Sequence, residues 1–118
     1  MLIQGHKDHL KEFPIPEEHA RNTIRKVVFS PERGWDSHVM RIFTMGEKGR
    51  TYEHTHPWQH YVFILAGTGK VVVADTEYLV EYGHYLFIPG NTPHYLENTG
   101  KEPFEFICIV PKEGDTLK

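Results

Sequence analysis

The sequence predicts an all-β domain, either a barrel or a sandwich, for three reasons. The chain has 118 residues, a length that suits one domain with a real core. Short segments rich in β-branched and aromatic residues recur along it, separated by turns that contain glycine and proline. No segment predicts a helix longer than one turn. We count roughly eight to ten short strands, a number typical of all-β barrels and sandwiches.

The first 22 residues differ in pattern from the rest of the chain. They carry Pro14 and Pro16 among charged residues, which predicts an extended arm with at most one helical turn near residues 16–21. Strand-like sequence begins at Thr23. We therefore divide the chain into an amino-terminal arm, residues 1–22, that partly covers a β domain, residues 23–118.

From Thr23 onward the strands and turns can be assigned in order. Gly46 and Gly49 predict a turn, and the sequence GTGK at 67–70 predicts a tight hairpin because its glycines accept positive φ. The sequence ADTE at 74–77 predicts another turn. The segments that we expect to form strands are 23–30, 37–45, 60–66, 70–74, 77–82, 82–88, 94–98 and 104–111.

The strand at 37–45 places Arg41 on the same face as Val39, Phe43 and Met45. If that face lines the interior, Arg41 carries a fixed positive charge into the cavity, where it would hold a carboxylate or an enolate. The alternative is that Arg41 reaches the rim and pairs with a surface acid, since arginine is seldom buried without a partner.

The segment 49–67, GRTYEHTHPWQHYVFILAG, gathers three histidines. His54 and His56 are two positions apart, so their side chains leave the same face of an extended strand. Pro57 turns the chain, which lets His60 open the next strand close to the first two. Three converging imidazoles are the outline of a metal site, and His94 is a fourth candidate.

These spacings resemble the two motifs of the cupin superfamily. In the first, G-x5-H-x-H-x3,4-E-x6-G, the histidines are His54 and His56, His60 stands in place of the glutamate, and Gly49 is displaced by one position. The second, G-x5-P-x-G-x2-H-x3-N, is matched by Gly83, Pro89, His94 and Asn98. Asn91 replaces its middle glycine, and asparagine tolerates the positive φ of such a turn.

The resemblance implies a small single-domain jelly-roll barrel for residues 23–118, with a divalent transition metal ion held by the four histidines. Imidazole suits zinc, copper, iron and nickel. The resemblance adds that small four-histidine cupins often hold manganese or iron, which we therefore favour over zinc, nickel or copper. It also implies six-coordinate geometry with two neighbouring positions left open.

Alternation along the other strands predicts an apolar pocket over the metal. Val62 and Ile64 lie on the same face as His60, and Leu96 on that of His94. In the last strand, Phe106 and Cys108 line the cavity because an acid, Glu105, is on the opposite face. Cys108 is a reactive thiol near the metal or a small buried hydrophobe, and we favour the second role. The predicted substrate-pocket residues are Arg41, Val62, Ile64, Leu96, Phe106 and Cys108.

The outer face of the strand at 60–66 is also apolar, with Tyr61, Phe63 and Leu65. A second sheet, the amino-terminal arm or a second subunit must cover it. Because cupins commonly dimerise through one sheet, the resemblance implies a homodimer.

Composition limits the other partners. The net charge is -3 with scattered Lys and Arg, which disfavours nucleic acid. The longest apolar run, residues 61–66, is too short for a membrane span, and the first residues lack a signal peptide's apolar stretch. The single cysteine, Cys108, excludes an intrachain disulfide and suits a reducing compartment. We therefore expect a cytoplasmic protein with a small-molecule ligand.

Several activities are compatible with the resemblance, since cupins include dioxygenases, decarboxylases, isomerases and binding modules. Our first hypothesis is a metal-dependent dioxygenase that acts on a small enol, phenol or carboxylate. The sequence predicts no carboxylate ligand and no second acid at the pocket, which disfavours base-catalysed isomerisation and decarboxylation. The competing hypothesis is a non-catalytic module that binds or senses a small molecule through the metal. A structural metal with no open position is a third. No residue is assigned as catalytic.

Overall fold

The computed structural model describes residues 1–116 and shows an all-β chain, as predicted. Three helical segments, each a 3-10 helix of three residues, lie at Lys7–His9, Pro31–Arg33 and Lys112–Gly114. None of the helices within these residues is long and apolar enough to cross a membrane. The strands are β1 (Phe13–Pro14), β2 (Ala20–Phe29), β3 (His38–Thr51), β4 (His60–Ala66), β5 (Thr68–Val73), β6 (Thr76–Glu81), β7 (Tyr85–Ile88), β8 (His94–Asn98) and β9 (Phe104–Pro111).

The strands form one curled sheet, a half-barrel of jelly-roll type. Seven of them follow the order β6-β5-β8-β3-β9-β4-β7, and β2 pairs with β3 and with β1. Strands that are far apart in sequence are therefore neighbours in space. Three such pairs position the residues described below: β8 pairs with β3 at Arg50↔Glu97, and β9 pairs with both β3 and β4.

The predicted turn at Gly46 and Gly49 is wrong, because β3 continues through both glycines to Thr51. The chain bulges there instead: the register with β2 shifts between Arg21↔Arg50 and Thr23↔Met45, and Lys48 takes a φ of 62°. A Cβ at Gly46 would lie 2.3 Å from the side chain of Asn22. The glycines therefore permit a close approach between β2 and β3 within the bulge.

The predicted hairpin at 67–70 is also wrong. β4 and β5 do not pair with each other, since β4 lies between β9 and β7 while β5 lies between β6 and β8. Gly67, with a φ of 78°, forms a corner between them, and a Cβ there would be 2.3 Å from the carbonyl oxygen of Pro103. By contrast, Ala74 and Asp75 both have positive φ and form the predicted turn between β5 and β6.

The strand faces that were predicted to line the interior do face inward in the half-barrel. In β3, Val39, Arg41, Phe43 and Met45 are all buried, and across the β3–β9 pair Arg41 lies opposite Cys108 and Phe43 opposite Phe106. The Phe43 and Phe106 rings stack with centroids 5.5 Å apart. The inward face is therefore polar near Arg41 and Cys108 and aromatic near Phe43 and Phe106.

The amino-terminal residues pack on the half-barrel, where β1 pairs with β2. Lys7 pairs with Glu105 at 3.1 Å, and Ile15 is buried. β2 begins at Ala20, within the predicted arm, and the division into residues 1–22 and 23–118 stays a prediction. The last two residues of that second range, 117 and 118, lie outside the described residues.

Candidate metal centre

The four predicted ligand histidines are brought together by backbone contacts between distant segments. His54 and His94 exchange backbone hydrogen bonds of 3.3 and 3.2 Å in an isolated bridge. The amide of Asn91 donates to the carbonyl of His56 at 2.7 Å. Asn91 has a φ of 58°, so it takes the left-handed conformation that the sequence predicted in the second motif. His60 opens β4, as expected.

The four imidazoles converge on one point. One ring nitrogen of each of His54, His56, His60 and His94 lies within 4.8 Å of those of the other three. The Nε2 atoms of His56 and His60 are 2.9 Å apart. His94 is the most buried of the four, with 2% of its surface exposed, whereas His54 is exposed. The cluster therefore lies between the interior of the half-barrel and its mouth.

Each ring is oriented by a contact at Nδ1. The carbonyl oxygens of Tyr52, Trp58 and Thr92 lie 2.7, 3.0 and 2.8 Å from Nδ1 of His54, His56 and His94. In His60 the partner is a side chain, because Sγ of Cys108 is 3.1 Å from Nδ1. A carbonyl can only accept, so these contacts place the proton on Nδ1 of the first three rings. Nε2 is then the nitrogen that remains available to bind a metal.

This donor set fits a divalent metal ion. Metal–imidazole bonds of about 2.1 Å imply about 3.0 Å between neighbouring ligand nitrogens and about 4.2 Å between opposite ones. The observed 2.9 Å pair and the 4.8 Å limit are close to those distances. Second contacts that hold the other ring nitrogen are the usual way in which proteins orient such ligands. His54, His56, His60 and His94 would hold the ion.

Burial keeps the centre neutral. The pKa of His60 is lowered to about 2, mainly by desolvation and to a smaller extent by the nearby His94 and Arg41. Desolvation also lowers the pKa values of His56 and His94, with His54 adding to both effects. Neutral imidazole is the form that binds a metal. The folded chain therefore presents these three rings in the ligating form at neutral pH.

A cavity of about 430 Å³ opens beside the histidines. Five of the six predicted pocket residues line it, namely Arg41, Val62, Leu96, Phe106 and Cys108. Ile64 differs from the prediction: it is fully buried in the core with no exposed surface and is not part of the wall. It shares the inward face of β4 with His60 and Val62, but it lies two residues further along the strand, beyond the reach of the cavity.

Arg41 combines features of both alternatives that the sequence left open. It is 2% exposed and lines the cavity, yet it also has an acidic partner, because Nη1 lies 3.6 Å from Oδ1 of Asp115. That acid is itself buried rather than on the surface, and it pairs at the same distance with Arg25. Within residues 1–116, Nε of Arg41 has no hydrogen-bond partner. Two guanidinium groups thus share one carboxylate, and a positive charge remains at the cavity wall.

Several residues at the cavity are not among the six predicted pocket residues. Glu18 and Glu53 are exposed and line it, so the expectation of no second acid at the pocket is wrong at its mouth. Neither is among the four clustered ligands. Trp58 stacks on His56 with centroids 4.3 Å apart. No local pattern indicated Glu18 or Ile15, because they reach the cavity from the amino-terminal end of the chain. Nor did one indicate Asp115, which pairs with Arg41 behind the cavity wall.

Comparisons with known protein sequences agree with this geometry. The sequence model of the cupin domain matches residues 41–110. Mannose-1-phosphate guanylyltransferase RfbM of Salmonella typhimurium is 36% identical over 75 residues, which are 62% of this chain but 15% of that enzyme. An uncharacterized protein of Methanocaldococcus jannaschii is 31% identical over 67 residues, 57% of this chain and 53% of that protein. The chain thus matches only part of the length of each relative.

Solved structures match over more of the chain. The polyketide cyclase RemF of Streptomyces resistomycificus superimposes with a TM-score of 0.87 and 25% identity, covering 95% of this chain and 80% of that one. A cupin 2 conserved barrel domain protein of Rhodopseudomonas palustris gives a TM-score of 0.78 and 26% identity over 87% of this chain and 72% of its own.

Proposed function

This chain belongs to the cupin family, and from that premise we propose that it is a metal-dependent oxidoreductase of dioxygenase type. In this proposal His54, His56, His60 and His94 hold one divalent transition metal ion. The substrate is a small molecule with an enol, phenol or carboxylate group. The observation that carries the proposal is the convergence of four oriented imidazoles at one end of a mostly apolar cavity.

An all-histidine donor set favours anionic ligands. Four neutral imidazoles leave the charge of a divalent ion uncompensated, so the bound ion is a strong Lewis acid with positions for an anionic substrate and dioxygen. Arg41 adds a second positive charge at the cavity wall, where its Nε has no hydrogen-bond partner among the residues that the structure describes. An anion in the cavity would therefore be attracted from two sides.

The rest of the cavity suits an apolar or aromatic body. Val62, Leu96 and Phe106 are buried and face the cavity, and a volume of about 430 Å³ accommodates a small organic molecule. RemF, which is similar to this chain in structure, is a polyketide cyclase. This similarity supports an enzymatic role for a chain with this fold.

Oxygen consumption tests the proposal. We expect metal-loaded protein to consume oxygen in the presence of a suitable enol or phenol, and the variant His54→Ala to lose both the activity and the bound metal. The variant His9→Ala is the matched control, since that exposed histidine is outside the cluster. Oxygen consumption that survives the loss of His54 would exclude this centre as its source.

Within the proposal, manganese or iron is the favoured ion, and zinc, nickel or copper are the alternatives. Imidazole binds all of the latter group, and affinity alone does not decide which ion is loaded in the cell. Elemental analysis of protein purified from its native host identifies the ion. Protein from a recombinant host reports chiefly which metals that host supplies.

A second candidate function is a non-catalytic module that binds or senses a small molecule through the metal. The positions of the acids favour it: Glu18 and Glu53 are exposed at the mouth, and Asp115 is paired with two arginines. The interior therefore lacks an obvious general base among the described residues. A ligand that survives purification unchanged, with no turnover under oxygen, would support this function over catalysis.

We also propose a homodimer in the cytoplasm. Tyr61, Phe63, Tyr85 and Phe87 are exposed on the outer face of β4 and β7, which supports burial against a second copy. Cys108 is a buried free thiol, which suits a reducing compartment. Fractionation of the native host tests the location.

A further inference from the structure

Cys108 connects the histidine cluster to the buried cation of the cavity wall. It lies opposite Arg41 across the β3–β9 pair and opposite Val62 across the β4–β9 pair. Its Sγ is 3.1 Å from Nδ1 of His60 and 3.3 Å from Nη2 of Arg41. The residue is 4% exposed. The proposed function uses His60 and Arg41 but gives this sulfur no role.

A thiol is unlike the three carbonyls that hold the other rings. A guanidinium only donates, so Sγ accepts from Arg41. Toward His60, however, a thiol can either donate or accept, whereas a carbonyl can only accept. His60 is therefore the one ring of the four whose Nδ1 partner is compatible with both neutral tautomers.

The neighbouring contacts favour one tautomer of His60 in the metal-free chain, because they constrain where the ring proton can lie. Nδ1 of His56 donates to the Trp58 carbonyl, so Nε2 of His56 has no proton and must accept. The 2.9 Å contact then requires Nε2 of His60 to donate. This leaves Nδ1 of His60 to accept the thiol hydrogen of Cys108. To bind a metal through Nε2, His60 must carry its proton on Nδ1 instead.

We propose that Cys108 is a positioning residue that lets His60 exchange its ring proton between Nε2 and Nδ1 when the metal binds. The ring keeps one proton, the thiol keeps its own, and Sγ changes from donor to acceptor while it still accepts from Arg41. Cys108 thus contacts both His60 and Arg41 and fixes their positions relative to each other. The inference rests on the proposed metal centre.

Metal affinity in two variants tests the role. Cys108→Ala removes the partner of Nδ1, and we expect Zn²⁺ affinity, measured by competition with a chromophoric chelator, to fall about 10- to 100-fold, as for other residues that orient a ligand. Cys108→Ser can still donate and accept, and it should restore most of that affinity. Ile107→Ala is the matched control, because this residue of β9 is on the opposite face of the strand from Cys108, where it pairs with Ile42 and Phe63, and it should leave affinity unchanged.

The outcomes separate this inference from the proposed function. If wild-type protein does not bind Zn²⁺ with one-to-one stoichiometry, the proposed metal centre itself is contradicted. Wild-type protein that binds, with Cys108→Ala binding equally tightly, would leave the centre intact and overturn the role of Cys108.

A second measurement does not depend on the alanine variant being stable. In zinc-loaded wild-type protein, imidazole ¹⁵N NMR should show the proton of His60 on Nδ1, and Cys108→Ser should shift that resonance while it leaves the Nδ1–H of His94 in place. A His60 Nδ1–H that is absent, or that does not respond to the change from sulfur to oxygen, would contradict the proposal.

Discussion

His60 shows how burial determines the state of a single residue. Desolvation and the neighbouring His94 and Arg41 lower its pKa to about 2, compared with about 6.5 in an unfolded chain. Between these two values the unfolded chain binds a proton that the folded chain does not. The stability that depends on neutral His60 is thus complete above about pH 6.5, and it is lost as the pH falls.

This difference predicts the acid sensitivity of the metal-free protein. We expect the free energy of unfolding, measured with urea after chelator treatment, to decrease between pH 7 and pH 5 at a limiting slope of about 1.4 kcal/mol per pH unit for each such histidine. The variant His60→Asn removes one of these groups and should give a shallower slope. An identical slope in the two proteins would show that His60 is not held neutral by the fold.

Among single residues, those that could be predicted from sequence carry their signal locally. His54, His56, His60 and His94 follow from a two-residue repeat, a proline turn and a motif spacing, and the structure brings them together. Asp115 could not be found in this way. Its position beside Arg25 and Arg41 depends on where the last residues of the chain cross the half-barrel.

Asn98 connects separate elements at the end of β8. Its Nδ2 lies 2.9–3.0 Å from the carbonyl oxygens of Met45, Gly46 and Glu102, and its Oδ1 accepts from the amide of Gly100. One buried side chain therefore fixes both the bulge of β3 and the turn between β8 and β9. The cost of leaving several such carbonyls without a partner is about 2–4 kcal/mol.

Two substitutions of Asn98 separate its donor from its acceptor. We expect Asn98→Ala to lower the free energy of unfolding by that amount. Asn98→Asp should be at least as unstable, although it keeps the size and the Oδ1 acceptor, because it loses Nδ2 and places a charge beside carbonyl oxygens. Urea unfolding measures both. Wild-type stability in the aspartate variant would show that the donor contacts contribute nothing.

Gly69 in β5 lies where an added side chain would collide with the core. A Cβ at this position would lie 2.3 Å from the ring of Phe104, which has no exposed surface. Gly69→Ala should therefore destabilise the protein by about 1–3 kcal/mol through overpacking. Gly5→Ala is the matched control, since nothing lies within 4 Å of its added Cβ. Equal melting temperatures for the two variants would contradict the packing argument.

At the level of elements, strands were easier to predict than the connections between them. Alternation and β-branched residues locate most strands within a few residues, because side-chain burial is periodic along a strand, whereas β1 was not expected and β3 extends six residues beyond its predicted end. The same glycines, however, are compatible with a turn, a bulge or a corner. Gly46 and Gly49 lie in a bulge and Gly67 at a corner because β2 and Pro103 pack against them, and those are contacts between distant segments.

For the whole molecule, the sheet has an inner face that holds the core and the cavity, and an outer face that is partly uncovered. β7 ends the strand order, and β4 lies beside it. Tyr61 and Phe87 pair across these two strands with ring centroids 5.3 Å apart. Tyr85 and Phe87 are 81% and 57% exposed. The amino-terminal arm does not cover this aromatic face, so of the three covers considered from the sequence a second subunit is the one we propose.

The oligomeric state in solution tests that proposal. We expect light scattering at micromolar concentration to give the mass of a dimer, because aromatic side chains contribute much of the energy of interfaces. Tyr85→Glu combined with Phe87→Glu places two charges in the aromatic face and should produce monomers. Leu79→Glu is the control: this residue is 75% exposed on β6, at the opposite end of the strand order, and should leave the dimer intact. A wild-type monomer, or a dimer that survives the double substitution, would show that the aromatic face has another role.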